Sequence, residues 1–162
     1  MWNPDFSPVS DHPALLRGWH RSMCILSTLY RGTAACPGLV LGLDRGGSCW
    51  GKALSVHEHD WPAIRARLDA RELPTAVYDA RFLPVTLADG RRVSAYCYVV
   101  RRNHPQYWNG DDQQAAALIR QGYGQNGSSR DYLSQTIDRL RHMGLPCGTL
   151  NRLLRLVDIE SR

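Results

Sequence analysis

An α+β fold, with a small curled antiparallel sheet flanked by helices, is predicted by three features of this 162-residue chain. Strand-like runs crowd the region up to residue 100, helical periodicity takes over beyond residue 110, and an Asp89-Gly90 step between two of the runs is a strong hairpin signal. With 43% apolar residues the chain is long enough for one domain with its own core, and too short to argue for two. Residues 1–162 are therefore expected to form a single domain.

The first strand candidates are 18–26, 39–43 and 48–56, with Arg45-Gly46-Gly47 as a turn between the second and third. Trp61, Ile64 and Leu68 then recur at helical spacing, with Asp60 at an N-cap position and Pro62 in the first turn. This short helix ends at Arg71, which places Glu72 just beyond it, at the start of a loop running to Tyr78. The negative end of a helix dipole disfavours a carboxylate there, which points to a residue kept for chemistry. Strands at 81–87 and 91–100 flank Ala88-Asp89-Gly90. After the loop from His104 to Gly110, three helices are expected at 112–121, 130–143 and 149–159. Leu133, Ile137 and Leu140 form the buried stripe of the second, and Leu150, Leu153, Leu154 and Val157 that of the third.

Composition excludes several function classes. The net charge of +5 is carried by 20 basic residues, of which Lys52 is the only lysine. The arginines are dispersed, with no basic run interleaved with aromatics, so no nucleic-acid partner is expected. Cys24, Cys36, Cys49, Cys97 and Cys147 are odd in number and form no Cys-x-x-Cys, which reads as free thiols in a reducing compartment. No apolar stretch approaches the roughly 20 residues of a membrane span, and the N-terminus does not resemble a secretory signal. A soluble, cytoplasmic protein is the expectation. Gly122-Tyr123-Gly124-Gln125-Asn126-Gly127 matches G-x-G-x-x-G, but a helix precedes it where the dinucleotide fingerprint needs a strand. His57-Glu58-His59 reads as a polar turn before Asp60, with no third metal ligand nearby.

A series of short segments carries more information than any of these. Met1-Trp2-Asn3-Pro4, Gly18-Trp19-His20-Arg21, Arg31-Gly32-Thr33 with Pro37-Gly38, Trp50-Gly51-Lys52-Ala53, Arg71-Glu72 with Tyr78, Asn103-His104-Pro105 with Tyr107, and Asn126-Gly127 with Tyr132-Leu133 follow one another along the chain. In order and spacing they resemble the ChaC-like γ-glutamylcyclotransferases, most nearly the bacterial glutathione-specific branch.

The resemblance implies a γ-glutamylcyclotransferase-like fold and a lyase-type reaction that uses neither cofactor nor metal. The α-amino group of a γ-glutamyl substrate attacks its own γ-carbonyl, converting glutathione, or a related γ-glutamyl compound, into 5-oxoproline and a leaving amine. The match assigns Glu72 as general acid/base and places Tyr78 and Tyr132 near the substrate. Arg31 either neutralises a substrate carboxylate or anchors a loop. Burial of Glu72 beneath its loop would favour the neutral carboxyl, and a bound ammonium the ionised one. Two departures stand out. Ala76 occupies a position where the family carries glycine, and alanine resists φ > 0. The family's Gly-Tyr-Gly-Ser-Leu loop, whose N–H groups would face the developing oxyanion, precedes a Met-Trp or Ile-Trp step, whereas this chain begins at Met1-Trp2. The natural chain is accordingly expected to be longer. The alternative is an inactive short form that binds γ-glutamyl groups or another protein.

Overall fold

The computed structural model of the chain describes residues 5–159. The Met1-Trp2-Asn3-Pro4 segment, and with it the expectation about the true start, lies outside the described residues. In chain order the elements are β1 (Ser10–Ser27), β2 (Gly38–Ser55), α1 (Trp61–Glu72), β3 (Tyr78–Leu87), β4 (Arg92–Val100), α2 (Asp112–Gln121), β5 (Tyr123–Gly124), β6 (Gly127–Ser128), α3 (Ser129–His142) and α4 (Gly148–Ile159). The four long strands form one sheet in the order β2-β1-β3-β4, with β1/β3 and β3/β4 antiparallel. An α+β fold is thus what the chain adopts. Two compact units divide it: residues up to His20 with Leu43–Arg101, and Arg21–Gly42 with the residues from Arg102 onward.

In the first unit, pairing of Ala14 with Leu87 and of Leu16 with Val85 stacks four buried side chains, around which Trp19, Leu43, Cys49, Ala53, Leu83 and Ala95 pack. Each fully buried Leu or Val there stabilises the fold by about 1.5–3 kcal/mol. The Arg45-Gly46-Gly47 turn predicted from sequence is not a reversal. β2 continues through it with a bend, Gly46 at φ +105° and Gly47 at φ +62°. Its neighbour β1 bends as well, through Gly18 at φ +80°, and His20 Nδ1 donates to Gly46 O at 2.9 Å. Glycine-borne bends of this kind strengthen twist without ending a strand. The Asp89-Gly90 hairpin forms as predicted: Thr86 pairs with Arg92, Gly90 sits at φ +90°, and Asp89 accepts from Arg91 N.

The second unit holds three helices. α2 begins with a capping box, in which Asp111 accepts from Gln114 N and Gln114 Oε1 from Asp111 N. Ser128 caps α3 by accepting from Asp131 N at 2.9 Å. Leu133, Ile137 and Leu140 are buried, as are Leu150, Leu153 and Val157, whereas Leu154 is only half-buried. Arg130 pairs with Asp158 at 2.8 Å and Arg120 donates to Leu156 O at 3.1 Å, tying α3 and α2 to α4. The loop after β4 returns along β1, where Leu26 N donates to Gln106 O and Trp108 N to Cys24 O.

A 3-10 turn at Glu58–Asp60, with the His57 and His59 rings stacked across it at 5.2 Å, leads into α1. Asp60 stands at the N-cap position, but its backbone is already helical and its side chain caps nothing. Ile64 and Leu68 are buried, and Trp61 meets the Tyr96 ring edge-on at 5.2 Å. Glu72 is the last residue of the helix rather than the first beyond it, because Leu73 N still reaches Asp69 O at 3.0 Å. The connection to β3 is then pinned by three bonds: Ala76 N to Leu73 O, Arg101 N to Val77 O, and Arg101 Nη1 to Ala76 O. Ala76 takes φ +55°, alone among the described non-glycine residues in having a positive φ. The loop therefore closes with the geometry that glycine would supply, at a steric cost to alanine of about 1–2 kcal/mol. Since a glycine also loses more chain entropy on folding, Ala76→Gly is expected to stabilise the protein by a net ~0.5–1 kcal/mol, read from urea unfolding at constant m-value.

Candidate active site

Glu72 and Tyr78 belong to the first unit. The Glu72 side chain retains 26% exposure, and its Oε1 accepts from Arg71 Nε at 3.1 Å. That guanidinium offsets the helix-end penalty on a carboxylate. Tyr78 opens β3 opposite Val100. Because directly paired residues share a face of a sheet, the pairs Ala80/Tyr98 and Phe82/Tyr96 put Tyr78, Tyr98, Phe82 and Tyr96 on the same face of the hairpin.

Sequence reasoning passed over what lies between that face and α1. Asp69 Oδ1 accepts from two phenols, Tyr98 at 2.7 Å and Tyr96 at 2.8 Å, and Arg65 Nε stands 3.4 Å from Oδ2. Arg65 also covers the Tyr96 ring at 5.0 Å. The signal was present: Arg65, Asp69 and Glu72 recur at i, i+4 and i+7, one stripe of a helix, and Tyr96 and Tyr98 alternate on a strand. Burial raises the Asp69 carboxyl, but hydrogen bonds from Tyr98 and Tyr96 and the Arg65 charge outweigh it, so its pKa lies below the usual value. Burial, followed by the bond to Asp69 and by the charges of Asp69 and Glu72, pushes the Tyr98 phenol up.

Arg31 and Tyr132 belong to the second unit. Arg31 Nη1 donates to Asn126 O and, at 3.4 Å, to Ser128 O, and its guanidinium lies over the Tyr132 ring at 5.4 Å. Among the described residues no carboxylate pairs with it. Tyr132 OH accepts from Leu41 N at 3.3 Å. The Gly122–Gly127 segment, which carries the G-x-G-x-x-G letters, closes a small hairpin against this arginine: Gln125 N donates to Leu29 O and Asn126 N to Tyr30 O. Those amides are engaged by the chain itself, so the segment is no phosphate cradle. A Cβ on Gly122 would strike Gly38, and one on Gly38 would strike Arg31 O. Glycine there allows backbone to lie on backbone.

All five cysteines are free thiols, and burial, with a contribution from Cys49, pushes Cys97 up to about 11. A thiol so perturbed is a poor nucleophile. No group of three or more His, Cys, Asp or Glu that would hold a metal ion occurs among the described residues, nor is any described helix long and apolar enough to cross a membrane.

This fold is that of the γ-glutamyl cyclotransferases. The backbone matches the crystal structure of a yeast γ-glutamyl cyclotransferase specific to glutathione with a TM-score of 0.82, covering 96% of this chain and 90% of that one at 18% identity. The ChaC-like protein family pattern spans residues 1–160, and the chain belongs to that family. It is 34% identical over 155 residues to the glutathione-specific γ-glutamylcyclotransferase of Escherichia coli K12, covering 95% of this chain and 67% of that protein. A protein of the same name from Schizosaccharomyces pombe is 29% identical over 167 residues, covering 88% and 79%.

Because the Asp69 carboxyl titrates lower in the folded chain than in the unfolded one, the stability it contributes is present above an unfolded value of about 4 and is lost as pH falls through the folded value. In acid unfolding followed by circular dichroism, Asp69→Asn is expected to flatten the pH dependence below about pH 4, with little change at higher pH in slope.

Proposed function

We propose that this chain is a glutathione-specific γ-glutamylcyclotransferase with Glu72 as its general acid/base. The observation that carries the assignment is the Glu72 carboxylate, partly buried on the final residue of a helix and steadied by Arg71. Identity of 34% to a protein of that activity, over 95% of the chain, supports the substrate class.

The reaction needs a nucleophile, an electrophile and a route for one proton. The α-amino nitrogen of the γ-glutamyl group bonds to its own γ-carbonyl carbon, and the bond from that carbon to the cysteine nitrogen breaks. The products are 5-oxoproline and Cys-Gly, with no water consumed. Tethering makes the attack intramolecular, and a well-oriented intramolecular reaction avoids up to about 7–11 kcal/mol of barrier. What the protein adds is proton management. The attacking group enters as an ammonium of reference pKa near 8; Glu72 takes its proton and returns it to the departing nitrogen. Such a positioned acid/base contributes about 10²- to 10⁴-fold. Tyr78, at the start of β3, is assigned to hydrogen bonding with the substrate. Arg31, with Tyr132 under its guanidinium, is assigned to a substrate carboxylate, a charge pair that its lack of a described carboxylate partner favours.

Incubation with glutathione is expected to release 5-oxoproline and Cys-Gly in equal amounts, and Glu72→Gln to lower kcat by at least about 10²-fold with the fold intact. Equal turnover by that variant overturns the role of Glu72. Arg31→Ala is expected to raise KM for glutathione by about tenfold or more, the usual worth of a charge-assisted hydrogen bond, with a smaller effect on kcat; an unchanged KM removes Arg31 from substrate binding.

A further inference from the structure

Tyr98 has one hydroxyl proton, and the structure commits it. The phenol is the only donor in its bond to Asp69 Oδ1, because a carboxylate can only accept. Glu72 lies one turn beyond Asp69 on the same stripe of α1, and its charge is among the causes that push the Tyr98 phenol up. A phenol beside a carboxylate ordinarily donates to it, and a carboxylate that accepts such a bond is a weaker base. Of the two acids on that stripe, Asp69 holds the proton.

Geometry makes that choice firm. Asp69 and Glu72 are one helical turn apart on α1, while Tyr98 rises from β4 on the face turned toward α1, diagonally across from Tyr78. The same Asp69 oxygen takes Tyr96 as well, and Arg65 stands against the other oxygen, so the carboxylate is fixed from three sides. Leu73 N bonds to Asp69 O and closes the last turn. With its proton directed at Asp69, the Tyr98 oxygen is left with lone pairs, which can accept from an ammonium but offer Glu72 no hydrogen bond.

We propose that Asp69 is a positioning residue for the cyclisation: by holding the Tyr98 hydroxyl proton it keeps the Glu72 carboxylate unencumbered as the base that receives the substrate's ammonium. This rests on the assignment of Glu72 made above. In this role Asp69 acts only through Tyr98.

Removal of the acceptor tests it. Asp69→Leu frees the Tyr98 hydroxyl to turn to Glu72, and kcat for 5-oxoproline release is expected to fall about tenfold or more while KM changes less. The double variant Asp69→Leu/Tyr98→Phe has no proton to misdirect and is expected to recover most of that loss. Asp69→Asn, whose amide oxygen still accepts from both phenols, is expected to retain most of kcat. A double variant as slow as Asp69→Leu overturns the proposal, since a purely structural role for Asp69 predicts no recovery on losing a second hydrogen bond. A second readout needs no turnover: the carboxyl carbon resonance of Glu72, in protein labelled at glutamate and assigned by its absence in Glu72→Gln. It is expected to move in Asp69→Leu and to return in the double variant; a resonance that stays put in Asp69→Leu also overturns the proposal. Absence of 5-oxoproline from the parent protein would instead overturn the functional reading, with the resonance still deciding the role of Asp69.

Discussion

One carboxylate oxygen, Oδ1 of Asp69, holds the end of α1 in place. A 12-residue helix is marginal by itself, and α1 buries only Ile64 and Leu68. Its orientation therefore depends on what its polar stripe does. Two phenols converging on one oxygen, with an arginine on the other, give charge-assisted bonds that are stronger than neutral ones and directional besides. They fix rotation about the helix axis, which apolar packing alone does loosely. The edge-on ring contacts among Trp61, Phe82, Tyr96 and Tyr98 add an apolar wall around the same point. Whatever Glu72 does, it does from the last residue of an element held this way.

The second unit uses a different device for its candidate residue. Around Arg31, two chain segments approach so closely that side chains are excluded, and glycine at 38 and 122 is the consequence. Their carbonyls, not carboxylates, receive the guanidinium. Carbonyl oxygens are dipoles and leave the full positive charge in place, whereas an acid would have neutralised it. An arginine held by backbone and by the Tyr132 face is rigid and still cationic, which suits recognition of an anion. Of the two alternatives open for Arg31 from sequence, loop anchoring is what its bonds to Asn126 O and Ser128 O do, and neutralising a substrate carboxylate stays a proposal.

Local physics was legible in the chain and long-range register was not. The span of α2 was readable to the residue because Asp111 and Gln114 announce the start and Gly122 follows the end. The apolar stripe of α3 and the Asp89-Gly90 hairpin were equally local. Arg45-Gly46-Gly47 misled because consecutive positive-φ glycines look identical in a turn and in a bend, and only the presence of β1 alongside decides between them. The early part of β1 was hidden by Pro13, which reads as a strand breaker although Ala14 and Leu16 just beyond it carry the core. Glu72 was found through its company of motifs, since a lone glutamate at a helix end is ordinary. Asp69 escaped because the helical stripe and the alternating tyrosines are each legible while their pairing across 27 and 29 positions is not.

The position of Glu72 at a helix terminus bears on the acid/base role proposed for it. Backbone carbonyls at the end of α1 make a negative pole that destabilises a carboxylate and attracts a cation. In the free protein Arg71 answers that pole. A substrate bearing an α-ammonium, as in the proposed reaction, would bring its own cation, and the helix end and the Glu72 carboxylate would favour its arrival in the charged state. In the reaction proposed for Glu72, passage of the proton leaves the amine neutral and relaxes that attraction, while the carboxyl formed is relieved of the repulsion it suffered as an anion. In that proposal the same negative pole favours the cation on arrival and the protonated form of Glu72 afterwards, while holding the ammonium against loss of its proton; a carboxylate in the middle of a helix would feel neither influence.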